Sequence, residues 1–314
     1  MAILFIFTGW DPEPWKKAVA KLAPERDVRW WPEVGDPKDI EYALVWKPPH
    51  GALQNMPNLK AIMSMGAGVD FLMDDPTLPN VPLGRIIDPN LTMRMTEYVV
   101  LHVLLHHRQQ IELLEAQRKG VWHKSLIQPA ACDVRVGVMG LGVLGSDAVE
   151  KLRSLGFQVA GWSRSPKQIE GVECFAGPEG FKPFLNRTDI LVCLMPHTPE
   201  THGLMNAAAF RELARDGHLK GPAFINAGRG KIQVEKDILA ALDNGDLYSA
   251  SLDVFEEEPL SPDSPLWRHP RVIITPHNAS DSEPEAVTKN ILAQIDTFER
   301  TGKLTHAVDL KRGY

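Results

Sequence analysis

Cysteine is scarce in this chain of 314 residues. Cys132, Cys174 and Cys193 are scattered and odd in number, so neither a disulfide framework nor a metal-ligand spacing follows from them, and a reducing compartment is expected. An excess of positive charge is missing as well. Thirty-four Lys and Arg stand against 40 Asp and Glu, a net charge of −6, which offers no nucleic-acid or anionic membrane surface. A small anionic substrate would then have to be captured by a local cluster. No apolar run reaches the length of a membrane span. The apolar start, Met1 to Phe7, lacks a basic flank and is interrupted at Asp11 and Pro12; it reads as a first strand and not as a signal peptide. These absences predict a cytoplasmic protein with no nucleic-acid and no membrane partner.

What is present is the composition of a soluble globular protein, 44% hydrophobic and 24% charged, in a chain long enough for two domains. Val134 to Arg164 organises it. Arg135 to Met139 is a short apolar run suited to a buried parallel strand, Ser146 to Leu155 has helical spacing, and Phe157 to Trp162 is a second strand. Between the first strand and the helix stands Gly140-Leu141-Gly142-Val143-Leu144-Gly145, a G-x-G-x-x-G in the strand–turn–helix context that dinucleotide binding requires. Gly140 makes the turn, Gly142 admits a pyrophosphate, and Gly145 allows close helix packing. The amides of the helix start, Val143 and Leu144 included, favour the phosphate charge.

The end of the second strand selects among cofactors. NAD enzymes place an acid there, about 20 residues on, for the ribose 2′-hydroxyl. This chain has Ser163-Arg164-Ser165, and its next acid is Glu170. A carboxylate repels a 2′-phosphate, whereas a guanidinium flanked by hydroxyls clasps one. NADP is therefore expected, with NAD as the weaker alternative.

The N-terminal part alternates strands (Ala2–Phe7, Val28–Trp31, Ala43–Trp46, Leu59–Ser64, Leu83–Ile87) with helical stretches such as Glu13 to Leu22, but its first turn lacks the dinucleotide glycines. Met65-Gly66-Ala67-Gly68 follows a strand directly and suits an anion-binding turn. Trp46, at a strand end, is a candidate wall for a small substrate, with plain packing as the competing reading. Thr96 to Arg118 reads as one long helix capped by Thr96. Its His102 and His106 have zinc spacing, but Val103 stands where a H-E-x-x-H motif needs Glu. No metal is expected, and the three histidines, with His107, are assigned to the helix surface or an interface. Glu283 to Arg300 is a last helix with room to cross back to the first domain. The expected division is 1–96 plus 281–314 for the substrate domain and 97–280 for the dinucleotide-binding domain, with hinges near Thr96 and Ser280.

After the fingerprint, four further strands are expected: Asp189–Met195, Ala223–Asn226, Ser249–Phe255 and Val272–Thr275. Ligands of open parallel sheets bind at the carboxyl ends of strands, and Arg229, Glu258 and His277 all fall at or just past such ends. Reduction of a 2-oxo acid needs a cation for the carboxylate and carbonyl oxygen, a proton donor, and a group that keeps the donor charged. Arg229 supplies a bidentate fork. His277 is the acid, with a reference pKa of about 6.5. Glu258 can orient and charge the imidazole. Singly, each has an ordinary reading as a loop cap, a core histidine or part of a solvated acidic run; together they define a candidate site.

At these residues the chain resembles the D-isomer-specific 2-hydroxyacid dehydrogenase family over nearly its whole length. The resemblance rests on the glycine motif and on Met195-Pro196-His197-Thr198-Pro199-Glu200-Thr201, Asn226-Ala227-Gly228-Arg229-Gly230, Asp253-Val254-Phe255-Glu256-Glu257-Glu258-Pro259 and Thr275-Pro276-His277. It implies a Rossmann cofactor domain inserted into a flavodoxin-like substrate domain, both doubly wound parallel sheets, with a cleft between them and a homodimer. It also implies catalytic roles for Arg229, Glu258 and His277, with Arg229 and His277 touching substrate, and substrate carboxylate binding by the Ala67 and Gly68 amides. Pro196, Thr201, Ala227 and Asp253 are implied to lie along the cofactor. Trp162-Ser163-Arg164-Ser165 and Ser264-Pro265-Leu266-Trp267-Arg268-His269-Pro270 look most like the bacterial branch that reduces glyoxylate and hydroxypyruvate with NADPH. The 37 residues after His277 (314 − 277) leave no room for the regulatory domain of many phosphoglycerate dehydrogenases. Glu258 argues against the formate dehydrogenases, which pair their histidine with glutamine. Asn278 departs from the apolar residue usual at its position. The alternatives are a dehydrogenase for a larger acid, phenylpyruvate or a branched-chain 2-oxo acid, and a cofactor-sensing protein akin to the corepressors that share this fold.

Overall fold

The computed structural model describes residues 2–310, which divide into two compact units. One runs up to Leu91 and resumes at Asp281; the other is Thr92–Ser280. In the first unit β1 (Ala2–Phe7), α1 (Glu13–Leu22), β2 (Asp27–Trp30), β3 (Ile40–Trp46), β4 (Ala61–Ser64), α2 (Asp70–Met73) and β5 (Leu83–Gly84) follow one another. All pairings are parallel, in the order β2-β1-β3-β4-β5, the flavodoxin-like order. Alternate residues of each strand serve opposite faces. Leu4, Ile6, Ala43 and Val45 enter one core cluster, and Ile3, Phe5, Tyr42 and Leu44 enter the other. Helices cover both faces of such a sheet, which is why β1 is apolar throughout and β3 and β4 nearly so.

From α3 (Pro89–His107), whose first three residues belong to the first unit, the second unit continues with α4 (Gln110–Arg118), β6 (Arg135–Met139), α5 (Val143–Ser154), β7 (Gln158–Ser163) and β8 (Glu173–Ala176). It continues with α6 (Gly177–Asn186), β9 (Ile190–Cys193), α7 (Ala207–Arg211), β10 (Ala223–Asn226), α8 (Glu235–Asn244), β11 (Ser249–Leu252) and β12 (Val272–Ile274). Seven parallel strands lie in the order β12-β11-β10-β9-β6-β7-β8. The strand order reverses at β6, so the crevice beyond the carboxyl ends of β6 and β9 is the place where a doubly wound sheet accepts a ligand. The last helix, α9 (Pro284–Thr301), belongs to the first unit. It buries Val287, Ile291 and Ile295, one stripe at helical spacing, and its Asp296 and Glu299 pair with Arg26.

Three expectations change. The long helix starts at Pro89, not Thr96: the Asp88 carboxylate accepts from the Asn90 and Leu91 amides, so an acidic cap followed by proline begins it. It also breaks at Gln109, whose φ is +51°, so α3 and α4 are separate. Thr96 lies inside α3, with its hydroxyl 2.5 Å from Asp147. The cofactor sheet has a seventh strand, β8, which sequence reading passes over because a four-residue edge strand with only Cys174, Phe175 and Ala176 apolar is too short to stand out.

The three histidines are buried and not at the helix surface: His102, His106 and His107 are 3%, 5% and 4% exposed. His106 lies between the hydroxyls of Ser249 and Ser251, 2.8 Å from each, which share one face of β11 because they are two residues apart. His102 stacks on Tyr98.

Burial pushes the His102 imidazole down to about 4 and that of His106 down to about 3, with His102 adding to the latter. Above about pH 6.5 both are neutral in the folded and unfolded chain, and their burial carries no proton-linked cost. Below that, the unfolded chain binds protons that the folded chain refuses, so stability falls as pH falls from about 6.5 toward 4. The urea midpoint should drop between pH 7 and pH 5, and His106→Gln should flatten the drop. An unchanged slope in the variant would show that His106 is not the group responsible.

Candidate active site

The glycine turn is built as a phosphate cradle. β6 ends at Met139, and Gly140 takes φ +98° while its amide bonds the Trp162 carbonyl at 2.8 Å; only glycine adopts that conformation without strain. A Cβ on Gly145 would stand 1.8 Å from the Gly140 carbonyl oxygen, so α5 could not pack so close with any other residue. A Cβ on Gly142 would meet nothing within 4 Å. The turn is therefore open on the side where α5 begins. That helix has no side-chain cap at its N-terminus, so Val143 and Leu144 start a helix end suited to an anion. A dinucleotide pyrophosphate fits this cradle.

At the end of β7, Ser163 donates its hydroxyl to the Ser165 carbonyl at 2.8 Å, fixing the bend that carries the exposed Arg164. At the end of β9 a loop closes on itself. The Thr201 hydroxyl accepts from the Thr198 amide at 2.8 Å and donates to the Pro196 carbonyl at 2.9 Å. The Glu200 carboxyl there lies below its usual range, chiefly through the Thr198 hydroxyl, with Arg164 contributing a smaller Coulombic share.

Arg229 sits in the turn after β10. The turn is held by two buried amides that sequence reading did not single out for a role. Asn226 accepts from the Gly228 amide at 3.0 Å and donates to the Arg229 carbonyl and to Gln233 Oε1 at 3.1 and 2.8 Å. Gln233 in turn donates to the Val254 carbonyl at 3.0 Å, joining this turn to the segment after β11. Asn226 stood within a motif and was findable; nothing in the local sequence marked Gln233. Ala227 is buried and its amide bonds the Cys193 carbonyl. Arg229 has one guanidinium nitrogen on the Gly228 carbonyl at 2.8 Å.

His277 lies just past β12 and meets Glu258 from the segment after β11, Nδ1 to Oε2, at 2.7 Å. Their side chains are 30% and 23% exposed, so the pair is shielded yet reachable. A carboxylate on Nδ1 makes that nitrogen the N–H and leaves Nε2 as the position that gains and loses a proton. Glu258 also accepts from the Phe255 amide at 3.3 Å. His277 itself has φ +55°, a conformation that costs a residue with a side chain about 1–3 kcal/mol. The His277 amide offsets this by donating to the Asp253 and Thr275 carbonyls at 2.8 and 3.1 Å. The Asp253 carboxylate, 2% exposed, accepts from the Asn278 and Ala279 amides. Asp253 therefore lies buried under the histidine turn.

In the first unit the Ser64 hydroxyl lies 3.1 and 2.8 Å from the Gly66 and Gly68 carbonyls. With these carbonyls turned to Ser64, the amides of Ala67 and Gly68 donate to no group among the described residues, as an anion-binding turn requires. Trp46 stacks on Trp10 at 5.1 Å and meets Phe71 edge-on at 5.2 Å. A Cβ on Gly66 would fall 2.5 Å from the Trp46 ring, so the indole is packed directly over this turn. No cluster of three or more His, Cys, Asp or Glu that could hold a metal occurs among the described residues, and no described helix is long and apolar enough to cross a membrane.

Comparison with known proteins adds what geometry alone does not. Residues 100–279 match the model of the D-isomer specific 2-hydroxyacid dehydrogenase NAD binding domain. The chain is 38% identical to a glyoxylate/hydroxypyruvate reductase A of Yersinia enterocolitica, with all of both chains covered. Among solved structures, it is 46% identical to an NADPH-dependent glyoxylate/hydroxypyruvate reductase of Sinorhizobium meliloti, crystallised with NADP and sulfate. That TM-score is 0.95, over 100% of this chain and 99% of the other. A D-isomer specific 2-hydroxyacid dehydrogenase of Xanthobacter autotrophicus, in complex with NADPH and MES, is 42% identical with a TM-score of 0.94 and the same coverage. Its glycine cradle, its His277–Glu258 pair and these full-length likenesses place the chain in the D-isomer-specific 2-hydroxyacid dehydrogenase family.

Proposed function

We propose that the protein is an NADPH-dependent reductase of small 2-oxo acids, converting glyoxylate to glycolate and hydroxypyruvate to D-glycerate. The observation that carries this is the 2.7 Å His277–Glu258 pair at strand ends of a sheet with a dinucleotide cradle. NADPH, when bound, supplies the hydride that adds to the carbonyl carbon. His277 gives its Nε2 proton to the oxygen as that oxygen gains charge, and Glu258 stabilises the imidazolium beforehand and keeps the ring oriented. Arg229 holds the carboxylate and the carbonyl oxygen through its guanidinium fork. The Ala67 and Gly68 amides take the substrate carboxylate, and Trp46 limits side-chain size. Gly140, Gly142, Val143, Leu144 and Gly145 hold the pyrophosphate, and Pro196, Thr201, Ala227 and Asp253 shape the remaining cofactor contacts. Ser163, Arg164 and Ser165 clasp the 2′-phosphate that distinguishes NADPH from NADH.

The unit that runs up to Leu91 and resumes at Asp281 has the proposed role of substrate domain and Thr92–Ser280 that of dinucleotide-binding domain, the first boundary lying five residues before the 96/97 expected from sequence (96 − 91). A homodimer is supported by exposed apolar side chains beside α4. Trp122 and Ile127 are 91% and 85% exposed, with Val121 at 56%, more than a solitary soluble chain ordinarily leaves bare in one short segment. Three unpaired cysteines suit a reducing cytoplasm.

A panel of 2-oxo acids with NADPH and NADH, followed by loss of reduced-nicotinamide absorbance, tests the substrate reading. Glyoxylate and hydroxypyruvate with NADPH should lead. Preference for phenylpyruvate or a branched-chain acid would move the assignment to a larger substrate, and inactivity throughout would point to a cofactor-sensing protein.

Arg229→Ala should lower kcat about 10²–10³-fold, as loss of a group aimed at the developing oxyanion does. Arg164→Ala should raise the NADPH KM by on the order of tenfold or more and leave kcat near its original value. Equal NADPH kinetics before and after the second change would remove the 2′-phosphate assignment. In analytical ultracentrifugation Trp122→Glu with Ile127→Glu should shift a dimer to monomer, and a dimer that persists would place the interface elsewhere.

A further inference from the structure

A part-buried hydroxyl chain leads from α3 to Asp253 and so to the turn that carries His277. Asp253 Oδ1 lies 2.6 Å from the Thr275 hydroxyl and 3.0 Å from the Asn278 amide, and the Ala279 amide reaches both carboxylate oxygens at 3.2 and 3.1 Å. Tyr98 Oη, from α3, is 2.9 Å from Thr275 Oγ1. A threonine hydroxyl has one proton. At 2.6 Å from a carboxylate that proton belongs to the Thr275–Asp253 bond, so Tyr98 must donate and Thr275 accept. Burial pushes the Tyr98 hydroxyl well above its usual range, which keeps it a donor. The chain has one direction, Tyr98 to Thr275 to Asp253.

This direction matters because Asp253 is costly to bury. Its surroundings push the carboxyl upward, burial being the largest cause, while Thr275, the Ala279 and Asn278 amides and the charge of His277 pull it down. Each donor therefore helps keep Asp253 ionised, and an ionised Asp253 is what pins the amides on the far side of His277. With the His277 amide bonded to the Asp253 and Thr275 carbonyls, residues 275–279 are tied on both sides of the histidine. The tie holds the imidazole at φ +55° and on Glu258.

We propose that Tyr98, acting through Thr275, is a positioning residue for the general acid His277. It completes the donor set of Asp253 and so fixes the turn from which the imidazole works. The inference rests on the reductase reading for its catalytic consequence, but its structural half stands on the hydrogen bonds alone. Tyr98 touches neither substrate nor cofactor in this scheme, so its loss should affect the chemical step and not cofactor affinity.

The test is a double-mutant cycle in the full-length protein. Tyr98→Phe, which removes only the hydroxyl, should lower kcat about three- to tenfold. Thr275→Val should lower it about 10- to 100-fold because a charge-assisted bond is lost, and Thr275→Ser should restore most of it. NADPH KM should stay within about twofold of the parent throughout, as expected of an interaction felt only in the chemical step. In the Thr275→Val background, Tyr98→Phe should have no further effect. Full additivity of the two losses, or a change confined to NADPH KM, would overturn the proposal. Hydrogen–deuterium exchange of the 276–280 segment provides a readout that needs no turnover. Exchange should quicken in Tyr98→Phe and more so in Thr275→Val, and unchanged exchange in both would sink the idea. Should the parent protein reduce no 2-oxo acid, the reductase reading fails, and the exchange result still decides whether the chain holds the turn.

Discussion

The constraint on which everything else depends is that the seven strands of the cofactor sheet all run the same way. Parallel strands need crossovers that cover both faces, so the sheet faces are closed to ligands, and the crevice along the carboxyl edge, outside the strand ends, is where such a sheet binds them. Gly140, Ser163, Pro196, Arg229, Glu258 and His277 all leave from that edge. The strands are mostly apolar, and Asn226, Ser249 and Ser251, buried polar residues that they do carry, each have a hydrogen-bond partner. The loops beyond them carry the polar chemistry because that is where the sheet stops.

That edge is organised by buried polar groups that each hold a loop in place. Asn226 and Gln233 lock the Arg229 turn to the segment after β11, Thr201 closes the loop after β9, and Asp253 fastens the segment after β12. Each is buried or nearly so, and each has its hydrogen-bonding capacity used, as burial demands. The left-handed backbone at His277 is the clearest expense. A positive φ at a residue with a side chain persists only where its surroundings determine it, and here two carbonyls and a carboxylate do so. The conformation of the His277 turn therefore depends on the Asp253 carboxylate beneath it.

Much of this was legible from the chain. The period-2 and continuous apolar runs marked most strands to within a residue or two, because buried parallel strands cannot hide their composition. The glycine spacing marked the cradle, since each glycine there answers a separate steric demand: the φ of Gly140, the space over Gly142, and the closeness of Gly145 to the Gly140 carbonyl. What stayed hidden has physical reasons too. β8 is a four-residue edge strand with no buried residue and only three apolar ones. The break between α3 and α4 rests on one left-handed glutamine, which no propensity foretells. The histidines of α3 read as solvent- or interface-facing, yet all three are buried, and His106 lies between two serines 143 and 145 residues away (249 − 106, 251 − 106), a partnership that only folding creates.

The sequence by itself determined the architecture, the cofactor class and which side chains are candidates for the chemistry, because these follow from local patterns: apolar runs, a glycine turn, an arginine where an acid would otherwise stand. Tertiary structure decided how those side chains are held. The 2.7 Å approach of His277 to Glu258, the pinning of its turn by Asp253 and the bond of Tyr98 to Thr275 join residues up to 177 positions apart. No local pattern encodes such a contact. It exists only where the parallel sheet brings distant strand ends to one edge and removes the water that would otherwise satisfy each group alone.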